Sequence, residues 1–382
     1  MSVPHSTLVP MRILHTSDWH IGRTFHGMNT VPHFLEYADF LIETIKSSSV
    51  DVLLVSGDVF DRAVPPLDAL EAYETTMARV LDTGAVAVLT SGNHDSHQRL
   101  GVGRRLMESS GLYIRTSLSD IERPVVLGDD GDRTVVYGIP YLEPALVSGV
   151  FDTSRTHSAV LNAAIGRILA HRAQHCPDHT AIVMAHGFIA GAEPSESERS
   201  IEIGGVGRAE ADLFTWADYA ALGHLHRPQT VAPNVRYSGS PLPYSFSEAG
   251  TDKLMWLYDT RSGAIDSVTI PEILPIASLT GSVEELLVKA PGYQDHAIEV
   301  RLTNTTVPQG ALDSLRKAFP QLLSVQWINL VQTTAPRGRK KETIDDAKVF
   351  AQFCRAAAGR SPSESERELF ANAMQWAQER TR

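Results

Sequence analysis

Five apolar runs in this chain each end in side chains that bind metal ions, and this repetition restricts the fold more than any other feature. "RILHTSDWH" ends in Asp18 and His20, "VDVLLVSGD" in Asp58, and "AVAVLTSGNHD" in Asn93, His94 and Asp95. "TAIVMAHG" ends in His186, and "YAALGHLH" in His224 and His226. Between the first two runs, Phe34, Leu35, Ala38, Leu41, Ile42 and Ile45 recur at helical spacing, and Leu67 to Leu81 reads as a second helix. Strand, helix, strand, helix predicts an α/β core with parallel strands. The polar residues at the carboxyl ends of such strands converge on one edge of the sheet, where α/β folds place their ligands.

Asp18, Asp58, Asn93, His20, His186, His224 and His226 form an oxygen and nitrogen donor set suited to two divalent cations of the manganese, iron or zinc kind. Asp58 is the natural bridge, because a carboxylate shared by two cations is neutralised on both sides and tolerates burial. A lone His or DxH at a strand end is more often a hydrogen-bonded structural residue. Five such ends in one chain are not explained that way.

Bulk composition limits the alternatives. The chain has 382 residues, 43% of them apolar, enough for a sizeable core and two or three domains. Its two cysteines, Cys176 and Cys354, lie far apart, so neither a disulfide framework nor a cysteine zinc site is expected, which fits a reducing cytoplasm. No apolar run approaches the roughly 20 residues that span a bilayer, and Met1–Pro10 lacks the pattern of a signal peptide. Residues 1–10 read as an extension, with Met11 a candidate natural start. The formal charge of −11 argues against a generally basic nucleic-acid-binding surface but not against local patches. Two basic places stand out: Arg99, Arg104 and Arg105, and "PRGRKK" at residues 336–341. Each is a candidate contact to phosphate, with solvated surface charge as the alternative.

The set Asp18-x-His20, Gly57-Asp58-x-x-Asp61, Gly92-Asn93-His94-Asp95, His186 and Gly223-His224-x-His226 resembles the calcineurin-like metallophosphoesterase superfamily. Within it, "HTSDWHIG", "GDVFDR", "SGNHDS", "LGHLH" and "YSGSPLPYSFSE" resemble the nuclease subunits of bacterial SbcCD-type complexes, over about two thirds of the chain. The resemblance implies a metallophosphoesterase sandwich of mixed sheets flanked by helices. It also implies one metal on Asp18, His20, Asp58 and His226 and a second on Asp58, Asn93, His186 and His224, with two Mn2+ as the expected pair and Mg2+, Fe2+ or Zn2+ as substitutes. Water between two cations is a usable nucleophile at neutral pH. His94 would contact the scissile phosphate and support the leaving oxygen, and Asp61 would hold His94 in orientation. Arg62 is placed to clamp a phosphate oxygen, with a salt bridge to a nearby carboxylate as the alternative. His15, His26 and His33 receive no role.

Beyond Ile270 the texture changes. "PEILPIASL" reads as a Pro-punctuated crossing, and "HAIEVRL", "GALDSLRKAF" and "SVQWINLV" as a small β/α module without a ligand cluster. The resemblance makes it a cap that helps hold DNA; packing without DNA contact is the alternative. After the basic linker, Thr343–Ala358 reads as a helix with Val349, Phe350 and Phe353 on its stripe. A second helix reads as starting at an N-cap Ser361, with Leu369, Phe370 and Met374 on its stripe. Two short amphipathic helices bury little by themselves. The resemblance gives them the base of the coiled coil of an SbcC-type ATPase, the alternative being the chain's own body.

The expected organisation is therefore an extension at 1–10, a nuclease domain at 11–272, a cap at 273–335, a basic linker at 336–341 and a helix pair at 342–382. The expected activity is that of a manganese-dependent DNA nuclease, exonuclease on double strands and endonuclease on single strands and hairpins, in an ATP-dependent end-processing complex. A homodimer of such chains within a heterotetramer, cytoplasmic and nucleoid-associated when on DNA, is expected. The rival readings are a phosphatase or cyclic-nucleotide phosphodiesterase for small substrates, and a non-catalytic scaffold of the same fold. A retained buried His and Asp set disfavours the scaffold, because buried polar groups without partners are costly.

Overall fold

The computed structural model describes residues 11–128, 133–189, 192, 211–329, 349–351, 354 and 360–379. Residues 1–10, the whole of the predicted basic linker and most of the predicted first terminal helix lie outside the described residues.

The first stretch of chain forms β1 (Arg12–Thr16), a short hairpin of β2 (Thr24–Phe25) and β3 (Met28–Asn29), α1 (Val31–Ser47), β4 (Val52–Ser56), α2 (Leu67–Asp82) and β5 (Val86–Thr90). Two short helices, α3 (His97–Leu100) and α4 (Arg104–Met107), lead to β6 (Leu112–Arg115). There follow β7 (Val125–Leu127), β8 (Thr134–Gly138), α5 (Pro144–Phe151), α6 (His157–His175), β9 (Thr180–His186) and β10 (Tyr219–Gly223). Then come β11 (Gln229–Ala232), β12 (Val235–Tyr237), β13 (Leu254–Asp259) and β14 (Ile265–Thr269).

These strands make two six-stranded sheets, ordered β14-β13-β1-β4-β5-β6 and β11-β12-β10-β9-β8-β7. The inner strands β1, β4, β5 and β6 are parallel, as are β12, β10, β9 and β8, whereas β13, β14, β11 and β7 are antiparallel additions at the edges. The sheets lie face to face. Because strand side chains alternate between faces, Ile13, Val52, Leu54 and Val88 meet Val136, Ile182, Met184 and Ala221 between the sheets. Their neighbours Leu14, Leu53, Val55 and Leu89 point the other way, onto Phe34, Tyr37 and Leu41 of α1. On the second sheet, Val135, Ala181, Val183 and Leu222 meet Val160, Ala164, Ile165 and Ile168 of α6. Burial on both faces explains why the strands read as unbroken apolar runs.

Helix α1 covers more than the predicted stripe: Phe34, Ala38, Leu41, Ile42 and Ile45 are buried together with Val31 and Tyr37, while Leu35 faces outward. A helix of this length is marginal alone, but each fully buried Leu, Ile or Phe contributes about 1.5–3 kcal/mol. Packing on the sheet therefore decides that it forms.

Parallel pairing in register brings the ends of the strands into line. Ser56 of β4 pairs with Thr90 of β5, Thr16 of β1 with Val55, and Gly223 of β10 with His186 of β9. The loops that leave β1, β4 and β5 thus start from neighbouring points on one sheet and those that leave β9 and β10 on the other, and the packing of the two sheets, not the single sheet edge expected from the sequence, brings the two sets together.

A third sheet, β15 (Ile276–Gly281), β16 (Ala297–Leu302) and β17 (Leu322–Trp327), is wholly parallel, with α7 (Val283–Lys289) and α8 (Ala311–Ala318) between its strands. Leu279, Leu286, Ile298, Val300, Leu302, Leu315 and Phe319 form its own core. The stretch read as a crossing contains β15, because the two prolines Pro271 and Pro275 stop just short of it. A capping box of Ser282 and Glu285 starts α7, which the sequence reading passed over.

The chain divides into two compact units, Met1–Asn329 and Leu330–Arg382. In the second, helix Glu364–Glu379 begins two residues later than expected. The Ser363 amide donates to Glu366 Oε2 at 2.7 Å, and the Glu366 amide donates to Ser363 Oγ at 3.4 Å. Two Ser-x-x-Glu frames overlap here, Ser361 with Glu364 and Ser363 with Glu366. The second prevails because Arg360 also holds Glu366 through both guanidinium nitrogens. Phe350 stacks on Phe370 with ring centroids 4.3 Å apart, while Val349 and Leu369 are exposed. Phe353 and the Met374 side chain lie outside the described residues. Among the described residues, no helix is long and apolar enough to cross a membrane.

Candidate metal centre

Each functional loop turns sharply at the end of its strand. Asp18, His20, Asp58 and His224 all have positive φ, at 53°, 45°, 49° and 109°. For non-glycine residues this left-handed region is strained and persists only where surroundings over-determine it. The surroundings are main-chain hydrogen bonds between loops: Asp18 N to Gly57 O at 3.1 Å and His20 N to Asp58 O at 2.9 Å.

The glycines that precede the ligands have a steric task. A Cβ on Gly57 would stand 2.4 Å from His186 Nδ1, one on Gly92 2.2 Å from Asp58 Oδ1, and one on Gly223 1.9 Å from the Ser56 carbonyl oxygen. The loops close on one another only because these positions carry no side chain. Gly223→Ala should therefore force main chain apart at the centre, with a cost of about 1–3 kcal/mol or more. A lower melting temperature and loss of bound metal are expected in that variant, and calorimetry with elemental analysis would check both.

All seven predicted ligands meet. The donor atoms of Asp18, His20 and His226 lie within 4.8 Å of one another, as do those of Asp18, Asp58 and His186, and those of His20, Asp58 and His94. Asp58 stands between the two groups, with Oδ2 at 3.6 Å from His20 Nε2 and 3.4 Å from His186 Nε2. Its Oδ1 accepts the His94 amide at 2.8 Å. Asn93 Oδ1 lies 3.0 Å from His186 Nε2 and 3.2 Å from His224 Nδ1. Both Asp18 oxygens accept the His224 amide at 3.0 Å.

The donor chemistry fits divalent cations. His20 Nε2 and His226 Nε2 face each other at 3.0 Å, and burial holds both imidazoles well below their usual pKa, as neutral rings. Burial likewise lowers His224 to about 3. At 3.0 Å one of the His20 and His226 rings can donate an N–H to the other, and the same two nitrogens, both left as acceptors, would suit a divalent cation. Burial pushes Asp18 up to about 7. It pushes Asp58 up too, but the neighbouring His186, His20 and His94 hold Asp58 well below the carboxylate range. Burial works to lower His186, yet Asp58 and Asp18 outweigh it and raise the imidazole to about 9. Two buried carboxylates thus call for positive charge, which a metal ion would supply without protonating a ligand.

His94 is buried, and its Nδ1 donates to the main-chain carbonyl oxygen of Asp61 at 2.7 Å. A carbonyl only accepts, so Nδ1 carries a proton and Nε2 is the nitrogen left for other contacts. The Asp61 carboxylate is farther away, at 3.9 Å. It sits at similar distances from His20 Nδ1 at 3.7 Å, Arg23 at 3.6 Å and Arg62 at 3.9 Å. The orienting contact expected from the Asp61 side chain is thus nearest to its backbone, because the loop after β4 brings its peptide under the ring.

The predicted basic residues divide. Arg99 and Arg105 are exposed and Arg62 is 57% exposed, whereas Arg104 turns inward to Asp120 at 3.5 Å and the Gly101 carbonyl at 3.3 Å. His15 is buried between the sheets against the Tyr219 hydroxyl at 2.9 Å, and burial lowers it to about 3. His26 is exposed beside Phe246, and His33 is half-buried.

Asp95, grouped in sequence with the metal-binding strand ends, serves as a support, as do several residues the sequence does not single out. Asp95 accepts the amides of Val59, Phe60 and Gly92, tying the β4 and β5 loops together. Ser17 Oγ donates to Asp18 Oδ2 at 2.5 Å and lies 2.7 Å from Ser238 Oγ. Tyr244 donates to the Trp19 carbonyl at 2.5 Å and sets its ring edge-on to His20 and His226. Arg23 lies over that ring at 4.8 Å. Ser238 and Tyr244 belong to the tract "YSGSPLPYSFSE", which was the available signal: a polar, aromatic loop after a strand end.

Comparison with known proteins agrees with this geometry. The model of the calcineurin-like phosphoesterases matches residues 11–228, and the chain belongs to that family. Within it, the similarity runs to one group of nucleases over nearly the whole length. The D subunit of the nuclease SbcCD from Escherichia coli strain K12 is 30% identical over 385 residues, 94% of this chain and 95% of its own. Its namesake in Staphylococcus saprophyticus is 28% identical over 361 residues, 91% of this chain and 94% of its own. Among solved structures, TT1561 of Thermus thermophilus aligns with a TM-score of 0.42 at 13% identity, over 69% of this chain and all of its own.

Proposed function

We propose that the chain is the nuclease subunit of an SbcCD-type complex: a two-metal DNA phosphodiesterase, manganese-dependent, that works with an SbcC-type coiled-coil ATPase. The observation that carries the reading is the meeting of Asp18, His20, Asp58, Asn93, His186, His224 and His226, from five strand ends, around one shared carboxylate oxygen. When bound, two divalent cations supply Lewis acidity toward a phosphate oxygen and a water of lowered pKa.

The chain's own residues do the rest. Asp58 Oδ2 is the atom common to both halves. Asp18, His20 and His226 complete the first half; Asn93, His186 and His224 complete the second. His94, with Nδ1 committed to the Asp61 carbonyl, presents Nε2 to the phosphate side. To protonate a leaving oxygen it must do so as the imidazolium, since Nδ1–H is already spent on Asp61. Arg62, Arg99 and Arg105, exposed near these loops in sequence, are the proposed contacts to DNA phosphates, and Arg104 contributes less because Asp120 engages it.

The small module at 273–335 is proposed as a cap over DNA and the helices at 342–382 as the ATPase contact, supported in the second case by the exposed Val349 and Leu369 beside the Phe350–Phe370 stack. A homodimer is proposed as well.

The test is cleavage of linear and hairpin DNA by the isolated chain with Mn2+, beside hydrolysis of a simple phosphodiester. DNA cleavage that disappears on chelation and returns with Mn2+ is expected. Hydrolysis of the small diester alone, with intact DNA, would replace this reading by that of a small-substrate enzyme.

A further inference from the structure

One buried ion pair stands directly behind the first half of the centre. Lys253 Nζ and Glu248 Oε2 lie 2.5 Å apart, with side chains 8% and 0% exposed. Lys253 also donates to the His226 carbonyl oxygen at 2.9 Å and to Ser240 Oγ at 3.0 Å. Glu248 Oε1 accepts the Tyr244 amide at 3.2 Å and lies 3.9 Å from His226 Nδ1. The ammonium thus holds the main chain of His226 and the carboxylate lies along its Nδ1 edge, while Nε2 faces His20.

A ligating imidazole is normally oriented by whatever its second nitrogen meets. His186 meets a peptide group, the Ser56 carbonyl at 2.9 Å. The corresponding nitrogen of His226 has a carboxylate beside it at 3.9 Å, anchored by the same lysine that donates to the His226 carbonyl oxygen. The two halves of the centre therefore rest on different supports. Stability does not account for the arrangement, since a buried ion pair is often no better for folding than apolar side chains of similar volume.

We infer that Glu248 and Lys253 are positioning residues for His226 and set the affinity of the Asp18, His20, Asp58 and His226 half for its divalent cation, leaving the Asn93, His186 and His224 half to its own support. The inference rests on the two-metal reading proposed above.

Mn2+ titration of the full chain, with free ion counted by electron paramagnetic resonance, tests it. Wild type is expected to take up two Mn2+. Glu248→Gln, which keeps the shape and the Tyr244 amide contact, and Lys253→Met should each weaken one of the two ions by about 10–100-fold and leave the other unchanged. The Mn2+ concentration for half-maximal cleavage should rise with it, and saturating Mn2+ should restore turnover. Ser240→Ala removes one contact of Lys253 together with the Ser240 bond to the Leu242 carbonyl, leaves the Glu248–Lys253 pair in place, and should move the same ion in the same direction by less. A folded Glu248→Gln protein with two wild-type affinities would overturn the inference, as would equal weakening of both ions. Fewer than two Mn2+ in wild type would overturn the two-metal reading and this inference with it.

Discussion

Asp58→Asn is expected to empty the centre, and His94→Gln to leave it filled but idle. Asp58 Oδ2 lies within 3.6 Å of His20 Nε2 on one side and 3.4 Å of His186 Nε2 on the other, so the neutral amide weakens both metals together. Elemental analysis should find little bound metal, and cleavage should fall to background. His94→Gln removes no proposed ligand and withdraws a group on the phosphate side, a loss of about 10²–10⁴ in rate. Its metal content should match wild type. His94 does lie within 4.8 Å of His20 and Asp58 donor atoms, so a parallel loss of metal would make it a ligand instead. Asp61→Asn keeps the main-chain carbonyl that orients His94, and should retain more turnover than His94→Gln. If the two variants are equally slow and do not add in combination, the carboxylate shares the task.

Deleting residues 342–382 is expected to spare metal binding and basal cleavage, because every proposed ligand lies before residue 230, and to abolish co-purification with the ATPase subunit. The narrower version is Phe370→Glu, which puts a charge into the stack with Phe350. If that stack is the centre of the interface, the substitution should cost about 2 kcal/mol or more of binding, as loss of an aromatic anchor does. Wild-type co-purification by Phe370→Glu would reject the partner role, and a lower melting temperature of the isolated variant would show that the helices serve the chain's own fold.

Much of the centre was legible because its grammar is local. An apolar run followed within three residues by Asp, Asn or His identifies a strand and its tip, and parallel pairing lines up the tips within each sheet, whereas the expected single edge is in fact the meeting of two stacked sheets. His20 and His226, 206 positions apart, follow strands of different sheets, and it was the family resemblance that placed them on one metal. The stripes of α1 and α2 were legible for the same reason, a period of 3.6 within one segment.

What depended on direction and distance was not. GDxxD presents two carboxylates to the reader, yet only the loop path shows that Asp61 reaches His94 most closely with its peptide oxygen while its carboxylate stands among His94, Arg23, Arg62 and His20. Overlapping Ser-x-x-Glu frames are equal in sequence, and Arg360 chose between them. The Glu248–Lys253 pair is five residues of ordinary loop until folding sets it against a histidine from another strand. By itself the sequence determined the donor types, their places at strand ends and the alternation of strands and helices of an α/β core, since each follows from patterns within one segment. The tertiary structure decided which atom of each residue faces the metals, which glycines must lack a side chain, and what holds the ligands from behind, because those follow from contacts between segments that no single stretch of chain encodes.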